Sequence, residues 1–310
     1  MKRVSTTTAP ALAAAAPGRA LADPRLIASL AAVYLVWSST YYAMRVAVHD
    51  LPPLLMASMR FLAAGLVMLA VARRKGVAWP RAADWGRAAP AGVLLFLGGN
   101  GFVAIAETSI SSGGAAVVCA TMPLWVGVLG VLSGARPSRR EWLSLVLGFI
   151  GVVVLMGGPA LAGKPAHVAL VIASPICWAL GSVLSRRIAK QGAAHGTWMV
   201  PAMQMLTGGV ALLGVGALRG ERVPVDASAA SWLALAYLWV FGSLVAFTAY
   251  NWLLRNARPI VATSYAYVNP ILAVLIGAAL SGEVLGVSTP IACVLILGAI
   301  AFGLARPRRT

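Results

Sequence analysis

The chain has 310 residues, 60% of them hydrophobic and only 11% charged, yet its formal net charge is +17. An ordinary soluble domain holds about 45–50% apolar and about 25% charged residues, so this chain has too little polar surface to face water on all sides. The same hydrophobicity excludes disorder, the glycines have no three-residue period, and three cysteines make no disulfide framework; an integral membrane protein remains.

Residues 1–25, rich in Ala, Thr and Pro, read as a disordered cytoplasmic tail. Lys2, Arg3 and Ala20-Leu21-Ala22 imitate a signal peptide, but Pro17, Gly18 and Arg19 interrupt its layout. A helix needs about 20 apolar residues to cross the hydrocarbon core. Ten stretches supply them: 26–48, 53–72, 88–110, 115–134, 142–158, 168–185, 197–218, 231–254, 260–281 and 287–305. The third and fourth are divided only by Ser111-Ser112-Gly113-Gly114, a tight hairpin. Barrel strands, about 10 residues of alternating polarity, do not fit this pattern. Trp79, Trp85, Trp142, Trp198 and Trp232 fall at span ends and read as interfacial anchors.

The charges set the orientation. With both termini cytoplasmic, the inner segments collect twenty Lys and Arg residues, and the outer loops hold only Lys164, Arg219 and Arg222. That asymmetry is the positive-inside rule. The basic residues are spread over six juxtamembrane segments, where a nucleic-acid surface would gather them in one patch. Nucleic acid is therefore excluded as a partner, leaving the lipid bilayer and a small solute.

Two halves of the chain repeat one another. WSSTYYAMR, Trp37–Arg45, pairs with WALGSVLSR, Trp178–Arg186, each with Trp and Arg eight apart. Met59–Gly65 resembles Met203–Gly209, and Pro123 and Pro270 share an offset with Gly130/Gly134 and Gly277/Ser281. Five helices per half is an odd number, so the second half enters from the opposite membrane face. The expected fold is therefore all-α and polytopic, ten transmembrane helices in two inverted five-helix repeats, an arrangement found in secondary transporters. Residues 26–159 form the first repeat, and 160–310 the second with a short basic C-terminal tail. The small-residue pairs permit close helix contact, read as packing within the monomer, with a homodimer face as the alternative.

GGNGFVAIAETSISSGGAAVVCATMP, Gly98–Pro123, resembles helices three and four of bacterial EamA-type carriers, members of the drug/metabolite transporter superfamily. RREWLSLVLGFIG, Arg139–Gly151, is similar to the stretch before and along helix five, and Gly282-Glu283-Val-Leu with Leu295-Ile-Leu-Gly298 to the end of the second repeat. One departure is visible: Gly134-Ala135 stands where the second repeat has Gly282-Glu283. The resemblance covers nearly everything after residue 25. It implies a ten-helix exporter of amino acids, related metabolites or drugs in a bacterial inner membrane. A channel or a membrane-embedded enzyme using the same cavity is the alternative.

Ionisable residues within spans are functional candidates by default. Arg45, Arg60 and Glu107 all fall in the outer half, where Arg60 and Glu107 are placed to pair. They read as gating or coupling residues, an outer gate or a proton-responsive carboxylate; the alternative is a static ion pair or snorkelling to the interface. A polar and aromatic set marks the expected solute cavity: Trp37, Tyr41, Asn100, Trp178, Gln204, Tyr250, Asn251, Tyr265 and Asn269. Ser38, Thr40 and Tyr267 accompany them. Such a mixture gives an amphipathic solute apolar walls and a few orienting groups, although each residue alone reads as well as interhelical packing. Pro123 and Pro270 remove a helix hydrogen bond and predict kinks.

Catalytic signatures are missing. Gly158-Pro-Ala-Leu-Ala-Gly163-Lys164 imitates a phosphate-binding loop, but Pro165 replaces the Ser or Thr. His49, His167 and His195 lie apart in loops, and Cys119, Cys177 and Cys293 fall within spans as small packing residues. No cofactor, no metal and no enzymatic activity are expected.

Overall fold

The computed structural model describes residues 23–110, 112–132, 137–155, 164–191, 196–281 and 288–304. The tail up to residue 22, Gly134, Arg136, Gly158–Gly163, His195, Glu283 and Arg306–Arg309 lie outside them. Among the described residues every regular element is helical. In chain order these are α1 (Pro24–Asp50), α2 (Pro53–Arg74), α3 (Ala82–Ala106), α4 (Ser112–Cys119), α5 (Met122–Leu132) and α6 (Arg139–Leu155). There follow α7 (Pro165–Gln191), α8 (Gly196–Leu218), α9 (Ala229–Asn256), α10 (Pro259–Thr263), α11 (Tyr265–Ser281) and α12 (Ser288–Leu304). Six of them, α1, α2, α3, α7, α8 and α9, carry apolar stretches long enough to cross a membrane.

The helix ends follow local chemistry. Asp23 accepts from the Arg25 N–H at 2.9 Å, and Pro24 opens α1 where a missing N–H costs nothing. The first free N–H groups of α2 reach across to the second half of the chain: Leu54 and Leu55 donate to the Glu221 carboxylate at 3.1 and 2.9 Å. At its other end α2 stops at Gly76, whose φ of 78° puts it in the left-handed region. Val77 then donates back to the Ala72 carbonyl at 3.1 Å. α8 stops in the same way, with Gly220 at φ 72° and the Glu221 N–H on the Gly216 carbonyl at 3.0 Å. A side chain at either glycine would strain the backbone.

Two long helices widen in the middle. Val93–Gly101 of α3 and Leu238–Ala246 of α9, nine residues each, are wound as π-helix. In each, a polar side chain joins the i→i+5 pattern: Asn100 donates to the Leu95 carbonyl at 3.4 Å and Ser243 to the Leu238 carbonyl at 3.2 Å. Widened turns of this kind occur often at functional sites.

Two expected spans are broken. Between α4 and α5 the Thr121 N–H reaches only to the Val118 carbonyl, and Leu124 to Thr121, both three residues back. Pro123, which has no N–H to give, lies inside the second of these turns. Between α10 and α11 the break falls at Ser264, whose hydroxyl bonds the Val261 carbonyl at 2.7 Å. Pro270 lies six residues further on, inside α11.

Glycines set the closest helix approaches. A Cβ on Gly65 of α2 would meet Leu206 Cγ at 2.8 Å, and one on Gly209 of α8 would meet Leu62 Cδ2 at 2.8 Å. The contact is reciprocal: each glycine of the matched heptads Met59–Gly65 and Met203–Gly209 faces the leucine of the other. Buried Phe61, Phe96 and Phe247 stack in sequence beside this seam, with centroids 4.3 and 5.0 Å apart. Leu66, Val210, Leu233 and Val294 are exposed on the outer surface, where the surrounding medium for a membrane helix is lipid.

Candidate functional site

Four of the aromatic residues expected from sequence, Trp37, Tyr41, Trp178 and Tyr265, converge on a cavity of about 130 Å³ lined from α1, α2, α3, α4, α5, α7, α9 and α11. By the measure of roughly 10–15 Å³ per water, it has room for a small metabolite. Trp37 is its hub. The indole meets Trp178 at 5.7 Å, Tyr250 at 5.1 Å and Tyr265 at 4.8 Å. Its N–H donates to the Gly242 carbonyl at 3.2 Å, in the π segment of α9. On the facing wall, a Cβ at Gly99 would lie 2.5 Å from the Trp178 ring. Gly99 therefore lets the Cε3 edge of the ring close on the π segment of α3, and Ser174 bonds the same glycine's carbonyl at 2.8 Å.

Arg60 supplies the charge. Only 5% of this residue is exposed, and its guanidinium packs over the Phe61 ring at 4.2 Å. One N–H donates to Asn100 Oδ1 at 2.7 Å, while Nε is buried without a partner among the described residues. The pairing with Glu107 expected from sequence gives way to this amide contact, because Asn100 in the π segment is turned toward Arg60. Glu107 lies elsewhere, within electrostatic reach of Arg45, Tyr41 and Cys119. Its Oε1 is buried without a partner among the described residues. Arg45 is exposed, and neither Arg45 nor Glu107 lines the cavity.

The other expected residues divide. Trp37, Tyr41, Asn100, Trp178, Tyr265 and Asn269 line the cavity, as does Thr40. Asn269 Oδ1 is buried without a partner among the described residues. Tyr250 stands behind the wall, fully buried, its hydroxyl 2.7 Å from that of Ser182. Gln204 donates across to Ser185 of α7 at 2.9 Å, and Asn251 donates back to the Phe247 carbonyl of its own helix at 2.9 Å; neither lines the cavity. Phe61, Phe96, Phe247, Met44, Met122 and Cys119 line the cavity and were not anticipated. An apolar side chain facing a cavity looks the same in sequence as one facing lipid, so no signal marks them.

The EamA-like transporter family profile matches the chain twice, over residues 25–157 and 166–304. A relative from Escherichia coli (strain K12), named "Uncharacterized inner membrane transporter YedA", is 41% identical over 261 residues, 84% of this chain and 84% of its own length. A Salmonella typhimurium protein named "Probable amino-acid metabolite efflux pump" is 24% identical over 294 residues, covering 90% of this chain and 95% of its own. A solved crystal structure shares the fold with a TM-score of 0.73 at 23% identity, over 90% of this chain and 95% of that one.

Proposed function

The chain belongs to the EamA-like transporter family, and from that premise we propose that it exports small amphipathic solutes across the inner membrane. The solutes are amino acids, related metabolites or drugs, and the mechanism is alternating access between two inverted halves of five spans each, with both termini cytoplasmic. The observation that carries this reading is the composition of the cavity wall. Trp37, Arg60 and Asn100 come from the first family match, and Trp178, Tyr265 and Asn269 from the second. A solute held there touches both halves at once, which is what a carrier needs if their relative motion is to move the opening from one face to the other.

Further features support the inverted arrangement. Gly65 and Gly209 exchange contacts with Leu206 and Leu62, as two elements related by a two-fold axis must. The helix stops at Gly76 and Gly220, and the π segments beginning at Val93 and Leu238, recur in the same order through both matches. The tight turns at Thr121 and Ser264 and the two π segments lie next to the cavity and give the halves places to bend.

The test is counterflow. Proteoliposomes carrying the purified chain, loaded with a labelled amino-acid panel, are expected to show saturable efflux accelerated by unlabelled solute outside. Flux that never saturates would make the protein a channel, and a chemically altered solute would make it an enzyme.

A further inference from the structure

The cavity wall carries one formal charge, and it is positive. Among the described lining residues only Arg60 is ionised at neutral pH; the rest are glycines or carry aromatic, aliphatic, thioether, thiol, hydroxyl or amide side chains. Burying a guanidinium away from water is costly unless a counter-charge and hydrogen bonds replace the lost hydration. Here the replacement is incomplete. Asn100 takes one of the five N–H donors at 2.7 Å, but an amide is neutral. Nε is left buried without a partner, and among the described residues no carboxylate is paired with Arg60.

The side chain is nevertheless held in place. Phe61 packs against the guanidinium at 4.2 Å, and Asn100 is itself oriented by its own bond to the Leu95 carbonyl. A fixed guanidinium with spare donors is a fork matched to a carboxylate, which it binds through two parallel hydrogen bonds. The remainder of the wall, with Trp37, Trp178 and Tyr265, suits an apolar or aromatic body.

We propose that the cavity takes the monoanion of an amphipathic carboxylic acid, with the carboxylate on Arg60 and the apolar body against Trp37, Trp178 and Tyr265. The proposal rests on the carrier reading and narrows its substrate class. A cation is opposed by Arg60, and a zwitterionic amino acid, whose ammonium finds no counter-charge on the described wall, is carried but bound less tightly than the monoanion. Export of such an anion is also drawn outward by the inside-negative membrane potential, so its flux carries charge.

One skeleton in four charge states tests this. The probes are N-acetylphenylalanine (anion), N-acetylphenylalanine amide (neutral), phenylalanine (zwitterion) and phenylalanine amide (cation). Binding to the purified full chain is followed by quenching of its tryptophan fluorescence, and transport by counterflow in proteoliposomes. The anion is expected to bind about tenfold or more tightly than the neutral amide, the scale of a charge-assisted hydrogen bond. R60Q should erase that preference and R60K retain part of it, with melting curves in the absence of probe reporting whether each variant is folded. If R60Q does not fold, the ranking of the four probes on the unmodified chain decides. Tighter binding of phenylalanine or its amide, an unchanged preference in folded R60Q, or no binding by any probe would each overturn the anion site. Anion binding without exchange of any solute would instead leave the site standing and remove the carrier reading.

Discussion

The indole rings of Trp37 and Trp178 meet edge to face, 5.7 Å between centroids and 82° between planes. They hold corresponding places in the two halves, eight residues before Arg45 and Arg186, and each lies against a glycine of a π segment. Trp37 donates to the Gly242 carbonyl, and the edge of the Trp178 ring meets Gly99. The wall of the cavity is thus built around a contact between the two sequence matches.

That contact should be measurable as a coupling. Aromatic pairs contribute about 0.5–1.5 kcal/mol beyond the area they bury, so W37L and W178L should be non-additive by about that amount in a double-mutant cycle on unfolding in detergent. W37L should be the more damaging single change, because it also removes the bond to Gly242 and the ring contacts with Tyr250 and Tyr265. Strictly additive losses would mean that the two rings are neighbours without mutual stabilisation.

The glycines make a sharper prediction. A Cβ at Gly92 would fall 2.3 Å from the Gln204 carbonyl oxygen and 2.4 Å from Thr207 Oγ1. The first is backbone and has no rotamer to escape into, so G92A must push α3 and α8 apart. Overpacking of this kind costs about 1–3 kcal/mol. Gly214, also in α8, has nothing within 4 Å of its Cβ site, and G214A should gain up to about 1 kcal/mol from helix propensity. Melting temperatures of the two variants should move in opposite directions, and a neutral G92A would show that the α3–α8 seam has slack.

Much of this architecture is legible in sequence because a membrane imposes simple rules. Apolar length gives the helices, and α1, α2, α7 and α8 begin within a few residues of the predicted spans. The match of Met59–Gly65 with Met203–Gly209 is visible in sequence as a repeat, but that the two stretches pack on each other through Gly65 and Gly209 is seen only in the fold. The fine structure is less legible. Nothing in VLLFLGGNG announces a π-helix, which depends on how α3 packs rather than on its own propensity. The break before α11 falls at Ser264, where the hydroxyl satisfies a carbonyl left by the turn, and proline spacing alone points six residues further on. At the cavity, tryptophan, tyrosine and amide residues stand out in sequence because their polar atoms are costly in lipid, and Trp37, Asn100 and Tyr265 line it. Arg60 is found too, but with the wrong partner: charge suggests Glu107, while the geometry of the π segment delivers Asn100.

Glu141 gives a pH prediction with a definite sign. It stands just before the predicted fifth span, accepts the Ser138 N–H at 2.8 Å and hydroxyl at 3.0 Å, and pairs with Arg258. Partial burial pushes its pKa up, but the Ser138 N–H, the Arg258 guanidinium and the Ser138 hydroxyl outweigh it and hold the carboxyl below its ordinary value. A depressed folded-state pKa stabilises the fold above the unfolded value of about 4.3 and loses that contribution as pH falls through the folded one. E141Q should therefore melt below the unmodified chain at pH 7, by less than about 1 kcal/mol because solvent screens the pair. The gap should close as pH drops below about 4, and a gap that widened on acidification would reverse the assignment.

Glu107 tests whether protons take part in transport. Among the acidic side chains described, it alone has a buried carboxylate oxygen without a partner, and Arg45, the cation in reach of it, is exposed. Tyr41, Cys119 and Arg45 are within electrostatic reach of it, His167 meets the neighbouring Thr108 and Ser109, and Tyr41 and Cys119 line the cavity. The carboxylate is thus close to the solute without touching it, a position from which its charge is felt through Tyr41 and Cys119. E107Q keeps the shape and removes the ability to exchange a proton. If Glu107 couples transport to protons, E107Q should flatten the dependence of counterflow on pH and abolish acceleration by an imposed proton gradient, while leaving solute binding within a few-fold of the unmodified chain. R45Q, by contrast, should shift the pH profile without flattening it, because it removes a neighbouring charge and leaves the exchanging group in place. A normal profile in E107Q would leave solute gradient and membrane potential as the driving forces, and would reduce Glu107 to a residue that caps α3 after Ala106.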